Sequence, residues 1–244
     1  MLFCDDHIVV IDKPPGMLTH TNRFDFHSPT VISVLTDRVG AVYSVHRLDR
    51  MTTGAMVLAR TPEAAGDLSR QFRDRSVAKR YLAVVRGHMD DRGTIASPIE
   101  RPTGGEQMDA LTEYRTLARG RIREPIGRYD EGWFTLAELT LHTGRRHQAR
   151  RHLHRIDHPV AGDNKHGDKA YNRWVAERLG ERHLFLRACE LGFCHPARDA
   201  DVTVRLGVPE LWTSLLAILG MRVPEEYEDE RVRCAVIRAH DLSQ

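Results

Sequence analysis

Four cysteines in 244 residues are too few and too scattered for a disulfide framework, and Cys189 and Cys194 stand an odd number of residues apart, on opposite faces of a strand that carries both. They read as reduced thiols. Long apolar runs are missing too, so no segment approaches the roughly 20 residues that cross a bilayer. Asp5 and Asp6 occupy the N-terminus where a secretory leader needs positive charge. The expectation is a cytoplasmic protein with no membrane partner. There is no internal repeat and no low-complexity tract. Net charge is only +2, but Glu225, Glu226, Glu228, Asp229 and Glu230 crowd one tail segment, so the body before them is more basic than the total. A basic body points to a polyanion.

What the sequence does hold is organised around His46-Arg47-Leu48-Asp49-Arg50-Met51-Thr52-Thr53-Gly54. Apolar runs at 41–45 and 55–59 read as strands on either side, which places Asp49 on a strand-to-strand connection. Arg47 and Arg50 flank the acid, and an acid among cations is held in its ionised form. That suits a nucleophile or an electrostatic stabiliser better than a proton donor. A solvated turn with incidental ion pairs is the plainer alternative for an isolated Arg-x-Asp-Arg.

Along the rest of the chain, Ile8-Val9-Val10-Ile11 reads as a buried strand stopped by Lys13-Pro14-Pro15-Gly16. His20, Asn22, Arg23 and His27 mark a polar loop. Ser28 with Pro29 signals a helix to about Val39, and Thr61-Pro62 signals a second, striped by Ala65, Leu68 and Phe72. Strands follow at 79–86, 111–117 and 133–141, with a long Gly- and Pro-rich excursion at 87–109. Residues 145–158 turn to helical period, 174–180 read as a short helix, 184–195 and 202–206 as strands, and 209–219 as a terminal helix.

Thr143-Gly144-Arg145-Arg146-His147-Gln148-Ala149-Arg150-Arg151-His152 carries the second signal. A strand, a Thr-Gly turn and a helix start in sequence aim backbone N–H groups and the positive dipole end outward, which favours phosphate. Arg145, Arg146 and His147 crowd that place, and guanidinium forks suit phosphate. Arg150 falls beside the apolar stripe and leans inward, whereas Arg151 and Arg155 fall outward. An exposed basic helix explains those two equally well. His147, His152 and His154 lack carboxylate or cysteine partners for zinc, so no metal is expected. Tyr81, beside Lys79 and Arg80 on an apolar strand, is either a core aromatic or a platform on which a flipped base stacks.

These residues resemble the RluA family of pseudouridine synthases: His46-Arg47-Leu48-Asp49 with Thr53-Gly54, then Lys79-Arg80-Tyr81, then 143–150. The likeness begins near Asp6-His7-Ile8 and Asp12-Lys13-Pro14 and runs past Phe193-Cys194-His195-Pro196. Gly162-Asp163-Asn164-Lys165-His166-Gly167-Asp168 and Asn172-Arg173 are most similar to the branch of that family acting on uridine 65 of tRNA. The resemblance implies an α+β pseudouridine synthase fold, a mixed and mainly antiparallel sheet with flanking helices and a central catalytic cleft. It implies a catalytic domain over 1–222, leaving 223–244 as an acidic extension, and a monomer that needs no cofactor. Asp49 matches the catalytic aspartate, Tyr81 the active-site tyrosine, and Arg150 the arginine paired with the aspartate. Arg47 matches the residue that displaces the target uridine, with Lys79, Arg145, Arg146 and His147 on the RNA. Ala149 departs from the usual Ile or Leu. Arg187 stands where His is usual, a change expected to alter RNA contacts.

The chemistry so implied is attack by Asp49 on the target nucleotide, cleavage of the glycosidic bond, and reattachment of the uracil through carbon. A hydrolytic glycosidase needs two placed carboxylates and an admitted water, and only one placed acid is found. Ribosomal RNA is the alternative substrate. A non-catalytic RNA-binding protein of this fold is the alternative class, and Asp49 argues against it, because an acid repels a polyanion.

Overall fold

The computed structural model describes residues 1–21, 27–101, 104–228 and 233–238. Asn22 and Arg23 of the expected polar loop, and Asp229 and Glu230 of the acidic run, lie outside the described residues. The chain opens with β1 (Phe3–Cys4), β2 (Ile8–Lys13), α1 (Val31–Val39), β3 (Tyr43–Ser44), β4 (Thr53–Ala59), α2 (Pro62–Arg73) and β5 (Ala78–Arg86). Its middle holds β6 (Arg92–Ala96), β7 (Ile99–Glu100), β8 (Gln107–Met108), β9 (Leu111–Ile122), β10 (Gly132–Leu141), α3 (Gln148–Arg155) and α4 (Lys169–Leu179). It ends with β11 (Leu186–Cys194), β12 (Ala200–Arg205), α5 (Glu210–Ile218), α6 (Glu225–Glu228) and β13 (Arg233–Arg238). Every strand pair with a described register is antiparallel. No helix among the described residues is long and apolar enough to cross a membrane.

Two compact units share these elements. One comprises residues 1–79, 188–206 and 231–244; the other comprises 80–187 and 207–230. In the first, β4 lies beside β2 with Ile8 opposite Ala59 and Val10 opposite Val57. Because side chains alternate along a strand, Ile8, Val10, Ala55, Val57 and Ala59 share one face, and that face packs on Ala64 and Leu68 of α2. All seven residues of β4 are buried, which explains its unbroken apolar sequence. Full burial of a side chain such as Leu68 is worth about 1.5–3 kcal/mol.

Caps decide where the helices of this unit begin. Thr61 accepts the N–H of Ala64 and Pro62 fills the first helical position, as its sequence signals. The first helix starts later than the Ser28-Pro29 signal, because Thr30 and Ser33 cap each other's backbone N–H groups reciprocally. The strand expected over 41–45 contracts to Tyr43 and Ser44, both exposed.

In the second unit, β10 lies between β5 and β9, with Tyr81 opposite Leu139, and β6 continues from β9. Ala83, Val85, Ala137 and Leu139 form the floor on which Ala149 and Leu153 of α3 rest. The excursion at 87–109 contains β6 and the small β7–β8 pair. Segment 223–244, expected to be an extension, supplies the α6 helix, where Tyr227 is buried and its hydroxyl donates to Glu138. It also supplies β13, which pairs along all six residues of β12 in the first unit.

Gly54 opens β4 at φ +116°, and a Cβ there would sit 2.2 Å from the Ala188 carbonyl oxygen. Only glycine combines that backbone with that approach. Gly54→Ala should therefore cost at least about 2 kcal/mol in urea denaturation. A loss below about 0.5 kcal/mol would show that the two strands separate without penalty.

Candidate active site

Asp49 sits on the connection from β3 to β4, as its flanking apolar runs imply. Its carbonyl accepts the Thr52 N–H at 3.1 Å, closing a tight turn. Beneath that turn lies Lys13, at 0 % exposure. Its Nζ donates to the carbonyls of Arg50 at 3.0 Å and Pro14 at 2.8 Å. Burial lowers the Lys13 pKa to about 8, while the nearby charges of Asp49 and Asp12 oppose the fall. The ammonium thus holds the Asp49 turn by its backbone and attracts its acid. Arg50, exposed, reaches the Gly16 carbonyl through Nε at 2.9 Å, so the Pro-Pro-Gly turn is tied to the same connection.

The rest of the motif is divided between structure and surface. Leu48 is buried, and Thr19 donates to its carbonyl at 3.4 Å. The His46 ring stacks on Phe72 with centroids 4.5 Å apart, and its Nε2 accepts the Val57 N–H. Burial, with Lys79 adding repulsion, pushes the His46 pKa down to about 3, so the imidazole stays neutral and keeps its acceptor lone pair. Arg47 is exposed and makes no ion pair among the described residues. Lys79 lies near Arg75, and burial followed by that like charge lowers its pKa.

In the second unit, Tyr81 is half-buried against the cluster that includes Leu139 and Leu153. Arg150 is inward, at 8 % exposure, as its helical position requires. Its Nε and an Nη each donate to an oxygen of Asp163 at 2.7 Å. Burial opposes ionisation of Asp163. The fork from Arg150 and the N–H groups of His166 and Lys165 outweigh it and hold the carboxyl below its ordinary 3.8. Asn172 then receives the Gly162 N–H and donates to the Asp163 carbonyl, which fixes the loop that presents Asp163.

The expected phosphate-binding helix start has a different construction. Helix α3 begins at Gln148, and His147 precedes it in the left-handed region at φ 56°. Gln148 Oε1 accepts both the Thr143 hydroxyl and the Arg145 N–H, and its amide donates to Leu111 O and Thr112 Oγ1. Arg145 extends its Nε to the Asp109 carbonyl, Arg146 is exposed, and His147 meets His166 at 3.1 Å. His152 is buried between Thr112 and the Ser97 carbonyl. Among the described residues no group of three His, Cys, Asp or Glu side chains is placed to hold a metal. Arg187, expected to alter RNA contacts, is buried and donates to the Gly207 carbonyl.

Lys13, Asp163 and Gln148 were not among the residues expected in the site. Asp163 had one signal, its position in a polar segment between two glycines. Lys13 had a fainter one, a lysine closing an apolar strand.

Two titrations check these anchors. Asp163→Asn leaves a buried Arg150 charge without its fork and should lose about 3–5 kcal/mol at neutral pH. A carboxyl with a lowered folded pKa stabilises above its unfolded value and loses that contribution as pH falls below 3.8. The gap between wild type and Asp163→Asn in urea denaturation should therefore narrow below pH 3.8, and a gap constant with pH would reject the pairing. For Lys13 the sign is the same but the window is alkaline, because between pH 8 and 10.5 the unfolded chain binds the proton that the folded chain has lost. Wild type should gain up to about 3 kcal/mol relative to Lys13→Met over that window. Parallel curves would mean that the amine is not desolvated.

Residues 7–155 match the family model described as RNA pseudouridylate synthase. The chain is 34 % identical to tRNA pseudouridine synthase C of Haemophilus influenzae over 90 % of its own length and 97 % of the relative's. It is 36 % identical to tRNA pseudouridine synthase C of Salmonella typhi, covering 91 % and 90 % of the two chains. Among solved structures, human RNA pseudouridylate synthase domain containing 4 superposes with a TM-score of 0.71 at 26 % identity, over 92 % of this chain and 94 % of that one. The turn bearing Asp49, Tyr81 and the helix with Arg150 all fall inside the matched span, and the chain belongs to the RNA pseudouridylate synthase family.

Proposed function

We propose that the protein converts a uridine of tRNA, uridine 65, to pseudouridine, acting as a cytoplasmic monomer without a cofactor. The observation that carries this reading is the end-to-end identity with tRNA pseudouridine synthase C, which extends beyond the family-model span. In it, residues 1–222 provide the catalytic domain and 223–244 an extension.

In this reading the Asp49 carboxylate attacks the target nucleotide, the bond between the ribose and N1 breaks, and the uracil stays in a water-excluding site. The base turns and rejoins the ribose through C5, and the bond to Asp49 breaks to return its carboxylate. The C5 proton leaves and N1 gains one, so the reaction is an isomerisation. Tyr81 stacks on the extruded base and assists removal of that proton. Arg150 keeps the role of the family's catalytic arginine, held in place by Asp163. Arg47 displaces the uridine from its stack, and Lys79, Arg145, Arg146 and His147 meet the RNA backbone. For Arg145 that role uses the guanidinium nitrogens not engaged with the Asp109 carbonyl.

The test offers unmodified tRNA and, separately, ribosomal RNA, and maps pseudouridine in each. Modification of tRNA at one position is expected. Modification of ribosomal RNA alone would replace the substrate assignment, and modification of neither would favour a binding protein. Asp49→Asn should abolish turnover while leaving RNA affinity equal or slightly higher, since it removes a repulsive charge. Turnover within about tenfold of wild type, a barrier change near 1.4 kcal/mol, would end the nucleophile assignment.

A further inference from the structure

Within the second unit, the loop from Gly162, the helix α4 and residues 180–183 enclose a cavity of about 810 Å³ that no step above uses. Four of its lining residues are cations, Lys165, Lys169, Arg173 and Arg182. All four are exposed, and none makes an ion pair among the described residues. Arg178, on the same helix but outside the lining, pairs with Glu124 instead. Glu177 and Glu181 also line the space, and Asp163 spends its charge on Arg150, so the surplus is positive.

A second observation is independent of that charge. His183 lines the cavity at 8 % exposure, and its Nε2 is buried without a hydrogen-bond partner among the described residues. A buried polar nitrogen left unpaired is unfavourable unless a bound group completes it. Burial lowers the His183 pKa, so at neutral pH it is a neutral hydrogen-bonding group and adds no fifth charge. The wall around it is closely built. A Cβ on Gly162 would lie 1.6 Å from the His183 carbonyl oxygen, and Asn172 clamps the same turn.

We propose that this cavity binds a phosphodiester stretch of the substrate RNA, with the four cations on phosphate oxygens and His183 Nε2 on a polar group of the nucleotide that enters deepest. The proposal rests on the reading that the substrate is RNA. Asp163 lines the cavity and also holds Arg150, so a bound strand would press on the loop that positions that arginine.

The test measures binding of unmodified tRNA to the full chain by fluorescence anisotropy across a salt series, with pseudouridine formation followed in parallel. Lys169→Ala with Arg173→Ala should weaken binding about tenfold at 0.1 M salt and lower the salt slope by about 1.5–2 units, as expected for two lost phosphate contacts. Arg178→Ala, which removes one cation outside the cavity, should leave the slope unaltered. His183→Asn should weaken binding with no change of slope, and a thermal melt checks that it folds. An unchanged slope in the double variant overturns the proposal. So does an unchanged RNA slope accompanied by loss of inorganic phosphate binding, which would make the cavity a small-anion site. A wild type that binds through these residues but forms no pseudouridine would overturn the functional reading and leave the cavity standing. A wild type that modifies tRNA while the double variant binds unchanged would do the reverse.

Discussion

A fully buried ammonium is the constraint on which the Asp49 turn depends. Lys13 closes an apolar strand and has no solvent-exposed surface, so its charge is tolerated only if its donors are used. The two carbonyls it takes come from Pro14 and from Arg50, one residue past Asp49. The Asp49 turn is thereby fastened to β2 through its backbone. His46 fastens the preceding end through Val57, and Gly54 the following end through its approach to Ala188. Three anchors of different chemistry thus fix a loop of nine residues.

The Arg150 region repeats the principle with the charges exchanged. Here a buried carboxylate, Asp163, takes the guanidinium fork and two backbone N–H groups, three of the four donors converging on Oδ1. An arginine held by two of its donors keeps its plane fixed and presents its remaining N–H groups in one direction. A lysine could not be held this way. That difference gives a physical reason for arginine at this position and for the glycines around Asp163, since Gly162 and Gly167 each pass closer to backbone than a side chain allows.

Much of this was legible in the sequence because it depends on local chemistry. Thr61-Pro62 marks a helix start from two residues alone, and the unbroken apolar run of β4 follows from burial on both faces. The place of Asp49 on a strand connection was legible because apolar runs flank it on both sides. Errors arose where a distant or competing partner decides. Ser28 has the right chemistry for a cap, but Thr30 and Ser33 satisfy two N–H groups instead of one. Residues 145–147 have helical period, yet the Gln148 side chain occupies the Arg145 N–H and His147 turns left-handed, so the helix begins later.

Lys13 and Asp163 were harder for the same reason, and it is a general one. A buried charge is recognisable only through its partner, and their partners are 37 and 13 residues away. From sequence alone, a lysine beside Pro-Pro-Gly and an aspartate after glycine are ordinary turn residues, because those neighbours favour exposure. The strand β13 was hidden by a related effect: its Arg-Cys-Ala-Val-Ile-Arg core follows directly on the acidic run, whose composition alone indicates a solvated tail. What makes it a strand is the exposed edge of β12, a template that composition cannot reveal, since an unpaired edge recruits whatever extended segment can reach it.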